Sequence, residues 1–178
     1  DVPISLDDNT KGGKKDLGQV FAIYRKDQYA GFQMMCDRYR DHVMKEHAQR
    51  SLHRILEILA NTKDGAVLYH CSEGKDRTGI VTVVILYLLG VDLETIRQDY
   101  LYSNYMLNDY RAKRDVIMKK NGENLCFRAN MRILGSVSDA FLDTALIAIE
   151  QNFGGLDNYL EEKIGVTPEL RDALRDLY

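Results

Sequence analysis

The run His70-Cys-Ser-Glu-Gly-Lys-Asp-Arg-Thr-Gly79 allows the chain very few local folds. An apolar stretch, Ala66 to Tyr69, leads into it, and a long apolar stretch, Ile80 to Leu89, leads out. By length and composition the first reads as a strand and the second as a helix. The chain must therefore turn sharply between them. Such a turn exposes the backbone N–H groups of Ser72 to Arg77, which have no helical partners and converge on an anion. A short Gly-containing loop ahead of a helix makes a concave nest, and the helix dipole adds positive charge there. Gly74 permits a backbone angle, or a closeness to ligand, that a side chain would forbid.

The side chains around this nest specify its chemistry. Cys71 sits at its start, where a helix N-terminus and nearby cations lower a thiol from about 8.5 to roughly 3.5–7.5. The reading is a thiol that is largely thiolate at neutral pH. Arg77 offers a planar fork for two oxygens of a phosphate. Thr78 can donate its hydroxyl to the sulfur, and His70 holds the loop through its ring nitrogens. The implied reaction has two steps: Cys71 attacks phosphorus and the alcohol leaves, then water hydrolyses the phosphocysteine. Ser72, Glu73, Gly74 and Lys75 line the substrate side, with Lys75 attracting the anion. Asp76 reads two ways, as proton donor to the leaving oxygen or as a brace for the loop. A nucleotide-binding loop is excluded. It needs Gly where Tyr69 stands, and Ser or Thr where Asp76 follows Lys75.

His-Cys-x-x-Gly-Lys-Asp-Arg-Thr-Gly resembles the active-site loop of cysteine-dependent tyrosine phosphatases. Its Gly-Lys-Asp-Arg-Thr-Gly form resembles the atypical bacterial branch with tyrosine, dual-specificity and phosphoinositide activity. Gly90-Val-Asp-Leu-Glu-Thr-Ile-Arg-Gln-Asp-Tyr-Leu-Tyr-Ser-Asn104 is similar to the segment that follows the loop helix in that branch, and the tail from Tyr159 to Leu177 is similar too. The resemblance implies Cys71 as nucleophile, Arg77 as phosphate-binding arginine, Asp76 as acid or loop organiser, and Lys75 as a residue of phosphoinositide recognition. It implies a lid over the site, for which residues 100–133 are the candidate. It also implies sheet strands ahead of residue 1, Asp1-Val-Pro-Ile resembling the strand that comes after them. No Trp-Pro-Asp acid loop is present, since the chain has no Trp.

A chain of 178 residues with 45% hydrophobic content is read as one domain, residues 1–178, with a packed core. The net charge of −3 gives no support for nucleic-acid binding. Cys36, Cys71 and Cys126 are an odd number without framework spacing, which favours free thiols and a reducing environment, cytoplasmic or after secretion. No apolar run is long enough to predict stable membrane insertion. The chemistry calls for no metal and no organic cofactor. His42, His47 and His53 lack the i,i+4 spacing of two ligands on one helix face.

Along the chain, Val2 to Ser5 is a strand candidate, Asp7 to Asp16 a polar Gly-rich loop, and Leu17 to Arg25 is ambiguous. Gln28 to Asn61 has apolar positions at helical spacing, with a break within His42 to Arg50. Ala66 to His70 is predicted as a buried parallel strand. Helices are predicted over Thr78–Leu89, Leu93–Tyr102 with Asp92 as cap, Tyr105–Lys120, Asn130–Gln151, Leu156–Lys163, and from Thr167-Pro168 onward. Tyr100, Tyr102, Tyr105 and Tyr110 either line a pocket or pack. The expected fold is α/β: a tyrosine-phosphatase-like parallel sheet flanked by helices, with a helix-rich C-terminal half. The expected function is hydrolysis of phosphorylated protein or phosphoinositide. The alternative is a pseudophosphatase that reads phosphate without turnover.

Overall fold

The computed structural model describes residues 2–5 and 17–178. The predicted loop over Asp7–Asp16 lies outside the described residues. The rest is helical: α1 Leu17–Tyr24, α2 Ala30–Met44, α3 Glu46–Asn61, α4 Arg77–Leu88, α5 Leu93–Met106, α6 Asn108–Lys120, α7 Leu125–Leu134, α8 Asp139–Phe153, α9 Leu156–Tyr159 and α10 Pro168–Leu177. A π-helical turn, Leu160–Ile164, follows α9.

The expected parallel sheet is not there: no strand forms among the described residues, and the α/β assignment is corrected to an all-helical arrangement. Ala66–His70 keeps the alternation of a strand, with Val67 and Tyr69 packed on the core and Leu68 85% exposed. A strand exists through its ladder, and no described segment pairs with this one. An apolar run reports a tendency to be buried, and carries no information on whether a partner strand is at hand. Val2–Ser5 is also irregular. It lies against α3, where the Pro3 carbonyl accepts from Ser51 Oγ at 2.8 Å and meets His47 Nε2 at 2.8 Å. Ile4 inserts into the core beside it.

The helices follow the periodicity closely at the N-terminal end. The predicted break within His42–Arg50 is the single residue Lys45, whose ψ of 130° ends α2 and starts α3. The three histidines fall in separate settings: His42 is buried on α2, His47 faces Pro3, and His53 lies 3.5 Å from Glu57. Asp92 caps α5 through Thr95 N, and Thr167 caps α10 through Leu170 N, with Pro168 at the start of the helix. The predicted single helix over Asn130–Gln151 is two, α7 and α8, separated by Gly135–Ser138.

The core forms where α2 runs along α8, with α3 and α4 closing it. Met35, Tyr39 and Val43 meet Phe141, Leu142, Ala145 and Ile149, while Leu52, Leu56, Ile80, Val84 and Leu88 fill the other side. Helix α4 buries Ile80, Val81, Val83 and Val84 on more than one face, so it runs through the centre and fixes the loop that precedes it. Asn130 is fully buried on α7 and accepts from Gly31 N at 2.7 Å. Its amide donates to the carbonyls of Tyr24, Asp27 and Cys126, pinning the α1–α2 corner to α7.

Candidate active site

Helix α4 begins at Arg77, and its first internal hydrogen bond runs from Ile80 N to Asp76 O at 2.9 Å. The amides ahead of Ile80 therefore have no helical acceptor. Asp76 stands at the cap position but makes no side-chain cap bond, so it leaves those donors free. The loop folds back over them, with Gly74 at a φ of +69° that side chains rarely adopt. Gly79 has a different task. A Cβ there would lie 3.2 Å from the Tyr100 ring, so glycine lets α5 close onto the first turn of α4.

Cys71 lies where these donors converge. Burial raises its pKa; the Thr78 hydroxyl and the amides of Thr78, Glu73 and Gly74 lower it by more, and it settles at about 7. A substantial fraction of the thiol is thus ionised at neutral pH. The Thr78 hydroxyl is buried, and its lowering of the Cys71 pKa places it beside the sulfur. Arg77 Nη2 donates to Ser72 Oγ at 3.1 Å, holding the guanidinium beside the loop. His70 Nδ1 lies 3.4 Å from the Cys71 carbonyl. Alkylation of Cys71 by iodoacetamide is expected to titrate with a midpoint near pH 7, falling about tenfold per pH unit below it. A midpoint at the free-thiol value of about 8.5 would contradict this geometry.

Lys75 does not face solvent. Its side chain is 1% exposed, and its ammonium donates to Asp76 Oδ2 at 2.6 Å and to the Leu134 carbonyl at 2.8 Å. The Ser136 carbonyl lies at 3.4 Å and Glu73 Oε2 at 3.6 Å. Lys75 thus ties the loop to the α7–α8 connection. Asp76 Oδ1 accepts from Tyr39 Oη at 2.9 Å, and Tyr39 Oη accepts in turn from Tyr100 Oη at 2.8 Å. Glu73 Oε1 accepts from Arg114 Nη1 of α6 at 3.1 Å. His42, on the turn of α2 next to Tyr39, is buried, and that burial chiefly lowers its pKa to about 4, so it is neutral here.

The structure brings together every loop residue singled out in the sequence, and adds partners that sequence reasoning missed. Tyr39 sits among the apolar positions that recur at helical spacing over Gln28–Asn61. Its phenol oxygen was the available signal, because a buried tyrosine needs a hydrogen-bond partner. Arg114 stands in the basic sequence from Arg111 to Lys120, where nothing sets it apart from its neighbours. Leu134 and Ser136 act through carbonyls, which leave no mark in a sequence. The tyrosine cluster divides. Tyr100 is buried and, with Asp99 and Ser103, lines a cleft between α4 and α5 that reaches Gly74. Tyr102 and Tyr105 stack at 5.3 Å on the exposed surface, and Tyr110 lies under Arg114 at 5.4 Å.

These features coincide with a family assignment. A profile of the tyrosine phosphatase family matches residues 4–178, and the chain belongs to that family. Among individual relatives, it is 34% identical over 142 residues to the triple specificity protein phosphatase PtpB of Mycobacterium tuberculosis, covering 75% of this chain and 50% of that protein. It is 31% identical over 129 residues to a tyrosine-protein phosphatase of Nostoc commune, covering 69% of this chain and 42% of that protein. The chain thus spans about half the length of the relatives it matches.

Proposed function

We propose that this chain hydrolyses phosphate monoesters through a phosphocysteine, with phosphotyrosine as the leading substrate. The observation that carries this reading is the Cys71 sulfur at the focus of the Thr78, Glu73 and Gly74 amides, its pKa drawn down to about 7. A phosphate in the same nest takes hydrogen bonds from the loop amides on its non-bridging oxygens and offers phosphorus to the sulfur. Arg77 neutralises charge on those oxygens as the bond to the leaving oxygen breaks. The Cys71 thiolate forms the S–P bond as the P–O bond breaks, and the leaving oxygen takes its proton from solvent water. Water then cleaves the S–P bond, releasing inorganic phosphate and restoring the thiolate.

A broader range, phosphoserine, phosphothreonine and phosphoinositides, is a second reading. The buried position of Lys75 withdraws one support for it. Another remains: α6 exposes Lys113, Lys119 and Lys120, and Arg114 joins this helix to the loop through Glu73. Residues 100–133, which include α6, would act as the lid. No described helix is long and apolar enough to cross a membrane, so a lipid substrate would be met at its headgroup.

The test compares purified protein on an aryl phosphate, a phosphotyrosine peptide, a phosphoserine peptide and inositol phosphate headgroups. Turnover of the first two supports the proposal. Tight phosphate binding without turnover would instead establish a phosphate reader.

A further inference from the structure

We propose that Asp76 is a fixed ionic anchor of the catalytic loop rather than its proton donor, and that Tyr39, on α2, is the residue that positions it. The inference rests on the hydrolase reading above and concerns how the same loop is held in shape. Both Asp76 oxygens are occupied by donors whose directions are set. Lys75 Nζ lies 2.6 Å from Oδ2, and Tyr39 Oη lies 2.9 Å from Oδ1. Tyr39 Oη accepts from Tyr100 Oη and donates its own proton to Asp76. A proton on Oδ2 would face the Lys75 ammonium, which has no lone pair to accept it, and a proton on Oδ1 would require both tyrosine hydroxyls to reverse.

The neighbouring groups are arranged around that carboxylate. Lys75 is 1% exposed, and Glu73, its other carboxylate neighbour, stands 3.6 Å away and is shared with Arg114 at 3.1 Å. Removing the Asp76 charge would leave the buried ammonium with only the more distant Glu73 carboxylate as counter-ion. Tyr39 is fully buried. Burial, then the charge of Asp76, then the neighbouring Tyr100 push its pKa well above the ordinary tyrosine value, so it stays a neutral donor. Tyr100 is buried and its pKa is also raised, chiefly by burial. His42 completes the surroundings and senses Asp76, Arg77, Arg38 and Asp41.

The chain Tyr100–Tyr39–Asp76–Lys75 thus crosses from α5 through α2 to the loop, and leaves it at the Leu134 and Ser136 carbonyls. It clamps the residue next to Arg77 and, through Lys75, the residue next to Gly74. Loosening it would disperse the amides that face Cys71.

Two readouts separate anchor from acid, and one needs no turnover. Tyr39→Phe and Asp76→Asn are compared with wild type on aryl phosphates whose leaving groups span weakly to strongly basic phenolates. Cys71 alkylation is followed against pH in parallel. For an anchor, both variants lose about 10- to 100-fold in kcat by a factor independent of the leaving group, and both raise the alkylation midpoint. Tyr100→Phe, which keeps the Tyr39 hydroxyl, gives a smaller loss in the same direction. The proposal is overturned if Asp76→Asn spares activated leaving groups, fails steeply on basic ones and leaves the midpoint unmoved, because that pattern marks a general acid. It is equally overturned if folded Tyr39→Phe, checked by its melting curve, matches wild type in both readouts. Because alkylation reads the loop without substrate, it distinguishes failure of this proposal from an error in the hydrolase assignment.

Discussion

Cys71→Ser is expected to lower kcat on an aryl phosphate by on the order of 10⁴-fold or more, while phosphate or vanadate still binds. The serine hydroxyl is smaller and, at neutral pH, almost wholly protonated. The amides of Thr78, Glu73 and Gly74 that draw the thiol to about 7 would leave a hydroxyl far from ionised. The nest itself is backbone, with Gly74 at φ +69° and α4 starting at Arg77, and neither depends on the sulfur. Binding should therefore survive the loss of the nucleophile. Calorimetric titration with phosphate alongside steady-state kinetics checks both halves. A variant that keeps near-normal turnover would remove Cys71 from the chemistry.

Arg77→Lys is expected to cost about 10²–10³-fold in kcat, with a smaller rise in KM. A lysine retains the charge but loses the planar fork that meets two oxygens at once. The Arg77 contact to Ser72 Oγ at 3.1 Å would also go, freeing the side chain from the loop. Since charge builds on the equatorial oxygens chiefly at the transition state, kcat should fall more than binding does. Arg77→Ala should be worse again, because no cation then remains at that point. Rates of Arg77→Lys equal to wild type would mean that the guanidinium is not at the phosphate.

The catalytic loop was legible in the sequence because its chemistry is local. Cys71, Arg77 and Thr78 act together with amides a few residues away, so composition and order suffice to draw the nest. What Lys75 and Asp76 do was not legible, because their partners are distant in the chain. Tyr39 is 37 residues from Asp76, and the Leu134 carbonyl is 59 residues from Lys75. A lysine beside an anion site reads as a substrate ligand until a buried route for its side chain is seen.

The predicted sheet failed for a related reason. Ala66 to Tyr69 has the apolar content of a strand, yet pairing is a property of two segments, and the described residues supply only one. The α7–α8 break was hidden because Val137, which lies in the connection, is 3% exposed and packs with the core. Its burial prolonged the spacing of Leu134, Phe141 and Ala145 across a segment that is not helical. By contrast, Lys45 and Asp92 fall where the patterning placed a break and a cap, since helix ends are set by residues within one turn.

The central claim is that the Cys71 sulfur bonds to phosphorus during turnover. Quenching the reaction with acid during steady hydrolysis of an aryl phosphate, then mapping the digested protein by mass spectrometry, tests it directly. The account predicts one phosphoryl group on the peptide that carries Cys71, absent from Cys71→Ser. Continued turnover with no phosphoryl group on that peptide, or with the group on another side chain, would contradict it.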